Sequence, residues 1–139
     1  MNIYLVNTNN NPANGNPNGY KYMLREGFVA TYYGNKTDID VVRPGDMVLL
    51  YHNDNRIIAV GFVLSGVNPR DFWPEEHFAH VKWVWKVNFN ESFAPLNPIM
   101  RDEIHLSTGD VRRAVENISS KIQYDELWKI VSQKLEYCL

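Results

Sequence analysis

The chain has 139 residues, 45% hydrophobic and 22% charged, which suits one folded domain over 1–139 and excludes global disorder. Fourteen basic against sixteen acidic residues leave a formal charge of −2, which excludes a broad, sequence-blind basic surface but not a local basic patch. No run of about 18 apolar residues is present to cross a membrane as a helix, and the single cysteine, Cys138, excludes an internal disulfide and a cysteine-based zinc cluster.

Residues 2–6 read as a short apolar strand. The opening Met1-Asn2-Ile3-Tyr4-Leu5 lacks the basic region and long apolar core of a secretory signal, and with one cysteine a reducing cytoplasm is the expected setting. From Asn7 to Gly19 the chain is rich in Asn, Pro and Gly, which favour turns, so a surface loop is expected. Asn7, Thr8 and Asn9 leave the end of a strand, a place where sites often lie. Residues 20–26 suit one or two helical turns stopped by Gly27, and residues 28–33 favour a strand. Gly34-Asn35 turns the chain, Thr37 is placed to cap a short helix ending at Val42, and Arg43-Pro44-Gly45-Asp46 makes a turn. Residues 47–52 and 56–64 form a hairpin across Asn53-Asp54-Asn55, with Gly61 marking a bulge or a close backbone approach.

Residues 65–77 are expected as a loop containing Pro69, Trp73 and Pro74. Residues 80–89 alternate. Val81, Trp83, Trp85, Val87 and Phe89 share one face, and Lys82, Lys86 and Asn88 share the other with Val84, so a half-buried strand is predicted. Residues 90–109 read as irregular, with a short strand near Ile104-His105-Leu106. A helix is predicted over 110–118 and a stronger one over 124–137, where Leu127, Ile130, Val131 and Leu135 fall at helical spacing. No internal repeat is visible. The fold class is α+β, a small curved sheet or partial β-barrel flanked by helices.

The sequence offers no glycine-rich phosphate loop and no Gly-x-Ser-x-Gly elbow. Cys138 lies one residue from the chain end, a poor place to hold a nucleophile rigidly. Asp71, Glu75 and Glu76 gather near His77 and His80, but their spacing is loose and fits a solvated loop better than a metal centre. No catalytic residue, metal or cofactor is assigned. Aromatic residues reach 13%, and Trp73 stands out because it sits on a Pro-flanked loop. Such a ring is either a lid on the core or a platform for a ligand, and flat rings bind planar bases by stacking worth about 1–3 kcal/mol per base. Trp83 and Trp85 read as mainly structural.

The order of these motifs resembles a known fold family over nearly the whole chain. The motifs are Ile3-Tyr4-Leu5-Val6 with Asn7-Thr8-Asn9, then Phe28 to Lys36 with its Gly-Asn-Lys turn, Pro44-Gly45-Asp46 opening a strand, the strand around Gly61, and Asp71-Phe72-Trp73 followed by Val81 to Trp85. They are similar to the PUA-like superfamily, and within it to the YTH and EVE branch. The resemblance implies a non-catalytic domain that reads a modified, methylated base of DNA or RNA, adenine or cytosine, flipped into an aromatic cage. It implies Trp73 as one cage wall and Phe28 as the other, at a position where YTH proteins have Trp, with Tyr32 or Tyr33 compensating. Asn9 or Asn7 meets the base edge, with Thr8 and the backbone near Ala30 assisting. Arg112 and Arg113 lie where the family places a basic residue against phosphate, although Gly109 stands where an Arg is usual; Lys36 and Lys82 are further phosphate candidates. An effector nuclease, fused or associated, is compatible with such a reader in a restriction or RNA-processing system. Two other readings stand beside it: a protein-interaction module using Trp73 and Trp128, and a metal-dependent nucleic-acid-processing enzyme using Asp71, Glu75, His77 and His80.

Overall fold

The chain enters the fold at the middle of a sheet, with apolar β1 (Ile3–Asn7) paired on both sides. In the computed structural model, residues 1–8, 19–52, 56–70, 75–89, 95–111 and 113–138 are described. After β1 come α1 (Gly19–Glu26), β2 (Phe28–Tyr32), a 3-10 segment (Tyr33–Val41), β3 (Met47–His52), β4 (Arg56–Val63), β5 (Asn68–Arg70) and β6 (Glu76–Lys86). There follow β7 (Asn88–Phe89), β8 (Pro95–Leu96), β9 (Ile99–Met100), 3-10 turns at Arg101–Ile104 and Thr108–Asp110, β10 (Val115–Asn117) and α2 (Tyr124–Cys138). The main sheet runs β10-β1-β3-β4-β6-β2, with β5 added to β6 and β9 to β4, while β7 and β8 form a separate ribbon.

β1 and β3 are parallel, and the other pairs are antiparallel. Met47 to Leu50 and Ile57 to Val60 are fully buried. Such unbroken apolar runs require cover on both faces of the sheet. One face, carrying Ile3, Met47 and Phe62 in register, receives α2, whose Trp128 stacks on Phe62 at 6.0 Å between ring centroids. The other face, carrying Tyr4, Val48, Gly61 and Trp83 in register, receives α1.

The predicted hairpin and the predicted irregularity at Gly61 are both present, with the β4–β6 register shifting between Val60 and Gly61. That shift corrects one expectation. Lys86 was expected on the face opposite Trp83, but Gly61 pairs with Trp83 and Ala59 with Lys86, so the bulge brings both side chains to one face. There they act together on α1: Trp83 Nε1 donates to Met23 O at 2.8 Å and Lys86 Nζ donates to Leu24 O at 3.1 Å. Both carbonyls lie in the last turn, where helical donors run out, so these side chains reinforce the end of α1. Gly27 then ends α1 in the left-handed region (φ 74), its N–H donating to Met23 O.

Other expectations also change. The helix predicted over 110–118 is instead the 3-10 turn Thr108–Asp110 followed by β10, because Val115 to Asn117 complete the edge of β1. Pairing across the chain overrides local helical preference there. The strand expected near Ile104 is a 3-10 turn, Arg101–Ile104, and part of the loop expected over 65–77 is β5 and the start of β6. Thr37 lies inside the 3-10 segment rather than capping a helix. The segment is tied down by buried Thr31, whose Oγ1 donates to Lys36 O at 2.8 Å and accepts from Ile39 N at 3.2 Å.

Candidate nucleic-acid interface

Parallel pairing makes β1 and β3 finish side by side, with Asn7 opposite Tyr51. Thr8 then turns onto the end of β3. Its N–H donates to Tyr51 O at 2.8 Å, and its hydroxyl donates to the same carbonyl at 2.7 Å. Thr8 Oγ1 also lies 3.1 Å from His52 Nδ1. A hydroxyl has one proton and a carbonyl only accepts, so with that proton on Tyr51 O the Thr8 oxygen accepts from His52 Nδ1. Thr8 is buried and His52 half-buried, so this polar knot is sheltered from water.

The first turn of α1 covers the knot. Tyr20 lies over His52 at 4.1 Å between ring centroids, tilted by 34°, and also meets Phe89 at 5.8 Å, tilted by 51°. Burial pushes the Tyr20 hydroxyl pKa up. Gly19, beside Tyr20, lies against Tyr32: a Cβ at Gly19 would meet Tyr32 Oη at 3.1 Å. The N-terminal end of α1 thus joins Thr8 and His52 on one side to Tyr32 on the other.

Beyond Tyr32 the chain turns sharply. Tyr33 has φ 50 and donates its N–H to Glu75 O at 2.9 Å. Lys36 Nζ donates to Glu75 Oε2 at 2.8 Å, and this hydrogen bond and the lysine charge hold the Glu75 pKa below the ordinary carboxylate value. Phe28 lies at the far end of β2 from Tyr32, about 13 Å along an extended strand. It meets Phe78 edge-on at 6.2 Å, and Phe78 meets His80 at 5.5 Å. Ala30 is buried between the two ends of β2, opposite Phe78.

The structure therefore brings Asn7, Thr8 and Tyr32 toward one end of α1 and leaves Phe28 apart from them. Trp73, Asn9 and Arg112 lie outside the described residues. The remaining cations do not form one patch. Lys82 is exposed on β6 in register with Phe62, on the α2 face. Arg113 is exposed at a cleft of about 490 Å³ that also holds Tyr4, Asp38 and Glu116, at the β10 edge. Among the described residues no three metal-ligating side chains gather. His77 Nδ1 instead pairs with Asp40 at 2.7 Å, and Glu75 pairs with Lys36; Asp71 lies outside the described residues. Tyr20 and His52 join this site without any motif in the sequence to mark them. Their signal was faint: one ring at the head of a short helix and one at the end of an apolar strand, linked only by the fold.

No family model matches this sequence, and no curated protein does. Solved structures do resemble the fold. The Mmi1 YTH domain is similar at 14% identity, covering 99% of this chain and 97% of that one with a TM-score of 0.55. The YTH domain of Toxoplasma CPSF4, solved with an m6A-modified 7-mer RNA, is similar at 13% identity over 95% of this chain and 91% of that one, TM-score 0.55. A Rhodopseudomonas palustris protein solved by NMR is similar at 14% identity over 96% of this chain and 92% of that one, TM-score 0.53. The curled mixed sheet flanked by helices, matched over almost the full chain, has the α+β fold seen in these YTH domains.

Proposed function

We propose that this protein is a non-catalytic nucleic-acid-binding domain that takes a modified base of a strand into a pocket at the N-terminal end of α1. The observation that supports this most is the likeness, over 95% of the chain, to a YTH domain solved with m6A-modified RNA. The local chemistry agrees with it. Tyr20 and Tyr32 are buried and His52 half-buried, so these rings would form the floor behind a base whose stacking, worth about 1–3 kcal/mol, falls to Trp73. Asn7, half-buried at the end of β1, supplies an amide to check the base edge beside the Thr8–His52 bond. A methyl group adds under about 1 kcal/mol by burial alone, so discrimination rests on a close-fitting aromatic wall, for which Trp73 is the candidate. With a net charge of −2, affinity for unmodified strands should be weak and selectivity should come from the pocket.

The test is a titration followed by tryptophan fluorescence. Short single and double strands of DNA and RNA would carry N6-methyladenine, 5-methylcytosine, 5-hydroxymethylcytosine or no modification. Binding to one modified strand at least about tenfold tighter than to its plain twin is expected, a difference of roughly 1.4 kcal/mol. Trp73→Ala should remove that preference and leave the folded circular-dichroism spectrum intact. A flat response across the panel at low salt would refute the reading, and an unfolded Trp73→Ala would place Trp73 in the core instead of the pocket.

A further inference from the structure

A second cleft, of about 330 Å³, lies beside the proposed pocket, between α1 and the turn from β6 into β7. Leu24, Val87 and Phe89 give it an apolar floor, and Lys21, Arg25 and Lys86 give it three cations. Among the described residues lining it none is acidic. The nearest carboxylate on α1, Glu26, pairs with Arg25 at 2.8 Å out on the exposed surface. In a chain of net charge −2, such a concentration of cations is a local reversal of sign.

The cations alternate with rings. Lys21 Nζ stands 5.9 Å from the centroid of Tyr20, and the Arg25 guanidinium lies 4.9 Å from that of Tyr22, which is 45% exposed. Lys86 spends one donor on Leu24 O. Phe89 is shared: it lines the cleft and meets Tyr20, which in turn covers His52. The ring series His52–Tyr20–Phe89 thus links the end of β3 to the cleft.

We propose that this cleft binds the strand next to the target nucleotide, with Lys21, Arg25 and Lys86 on phosphates and Phe89 under a neighbouring base. Cations interleaved with aromatic faces are what a single strand requires, since each base has a π-face and each linkage a charge. The proposal rests on the base-reading function and locates the backbone contacts on α1 and the end of β6 rather than at Lys36, Lys82, Arg112 and Arg113.

The test compares the wild type with Lys21→Ala/Arg25→Ala, changes on a helix surface where alanine is well tolerated. Two ligands are used: the modified nucleoside alone, and a five-nucleotide single strand carrying it. The nucleoside should bind both proteins alike. The strand should bind the variant on the order of tenfold more weakly, for modified and plain sequences equally, with the salt slope reduced by about 1.4 for two lost single-strand contacts. An unchanged strand affinity and salt slope would overturn the proposal and leave the cleft to an acidic peptide, while the preference for the mark survives. Salt-dependent strand binding that falls in the variant, without any preference for a mark, would uphold the cleft and refute base reading. No binding by the wild type would refute both.

Discussion

A methyl group at Gly61 has nowhere to go. A Cβ there would lie 2.5 Å from Lys82 O, 2.7 Å from Trp83 Cε3 and 2.8 Å from Val81 Cγ1. Two of these neighbours belong to side chains packed around the bulge, and the third is backbone of the paired strand. Gly61→Ala is therefore expected to cost about 1–3 kcal/mol through overpacking, read as a lower urea midpoint at constant m. Gly66, which has open space around it, serves as the control: Gly66→Ala should shift stability by no more than about 0.5 kcal/mol. At the same scale Thr8 shows why a site residue can be legible while its role is not. The sequence marks it as the polar exit of a strand. Only the neighbouring end of β3 supplies the Tyr51 carbonyl and the His52 ring that orient its hydroxyl.

The eight residues of α1 are too few for a helix stable by itself in water. It is held from outside, by burial of Tyr20, Met23 and Leu24 and by the two donors that β6 aims at its last carbonyls. Trp83→Phe keeps a ring over Gly61 and deletes one of those donors. It should cost about 1 kcal/mol, and the amides of α1 should exchange faster with solvent while those of β3 keep their protection. Because α1 carries Tyr20 over His52 and lines the proposed strand cleft, the same variant should weaken strand binding without any contact to the strand being removed. The stretch before α2 teaches the opposite lesson. Residues 110–118 have no strong local signal, and the unpaired edge of β1 recruits Val115 to Asn117 as a strand.

For the molecule as a whole, the C-terminal third is fastened to the sheet by a polar clamp. Asp110 accepts from Ser107 N at 2.8 Å and Ser107 Oγ at 3.0 Å and is paired with Lys121, so it bridges the residues on either side of β10. Lys121 foremost, with the Ser107 donors, holds the Asp110 pKa below the ordinary value. A carboxylate whose folded pKa is lowered stabilises the protein above its unfolded value of about 3.9, and that contribution is lost as pH falls through the lower folded value. Asp110→Asn is expected to lower the urea midpoint at pH 7. The difference from wild type should shrink as pH falls below about 4, which denaturation curves at a series of pH values would check.

Much of this protein was determined by the sequence alone. The unbroken apolar runs of β3 and β4 required a doubly covered hairpin, Gly61 required a local break in pairing, Gly27 required the end of α1, and the spacing of Leu127 and Val131 required a buried helix face. Each depends on periodicity or on backbone freedom, which act over a few residues. The tertiary structure alone decided that β1 runs parallel to β3, that Val115 to Asn117 form an edge strand, and that the bulge turns Lys86 toward α1. It also decided that Thr8 and Tyr20 meet at His52 and that Gly19 packs on Tyr32, while Phe28 lies at the far end of β2. Those outcomes depend on pairings between residues tens of positions apart, whose energies come from burial and hydrogen bonds that exist only once the whole sheet has closed around α1.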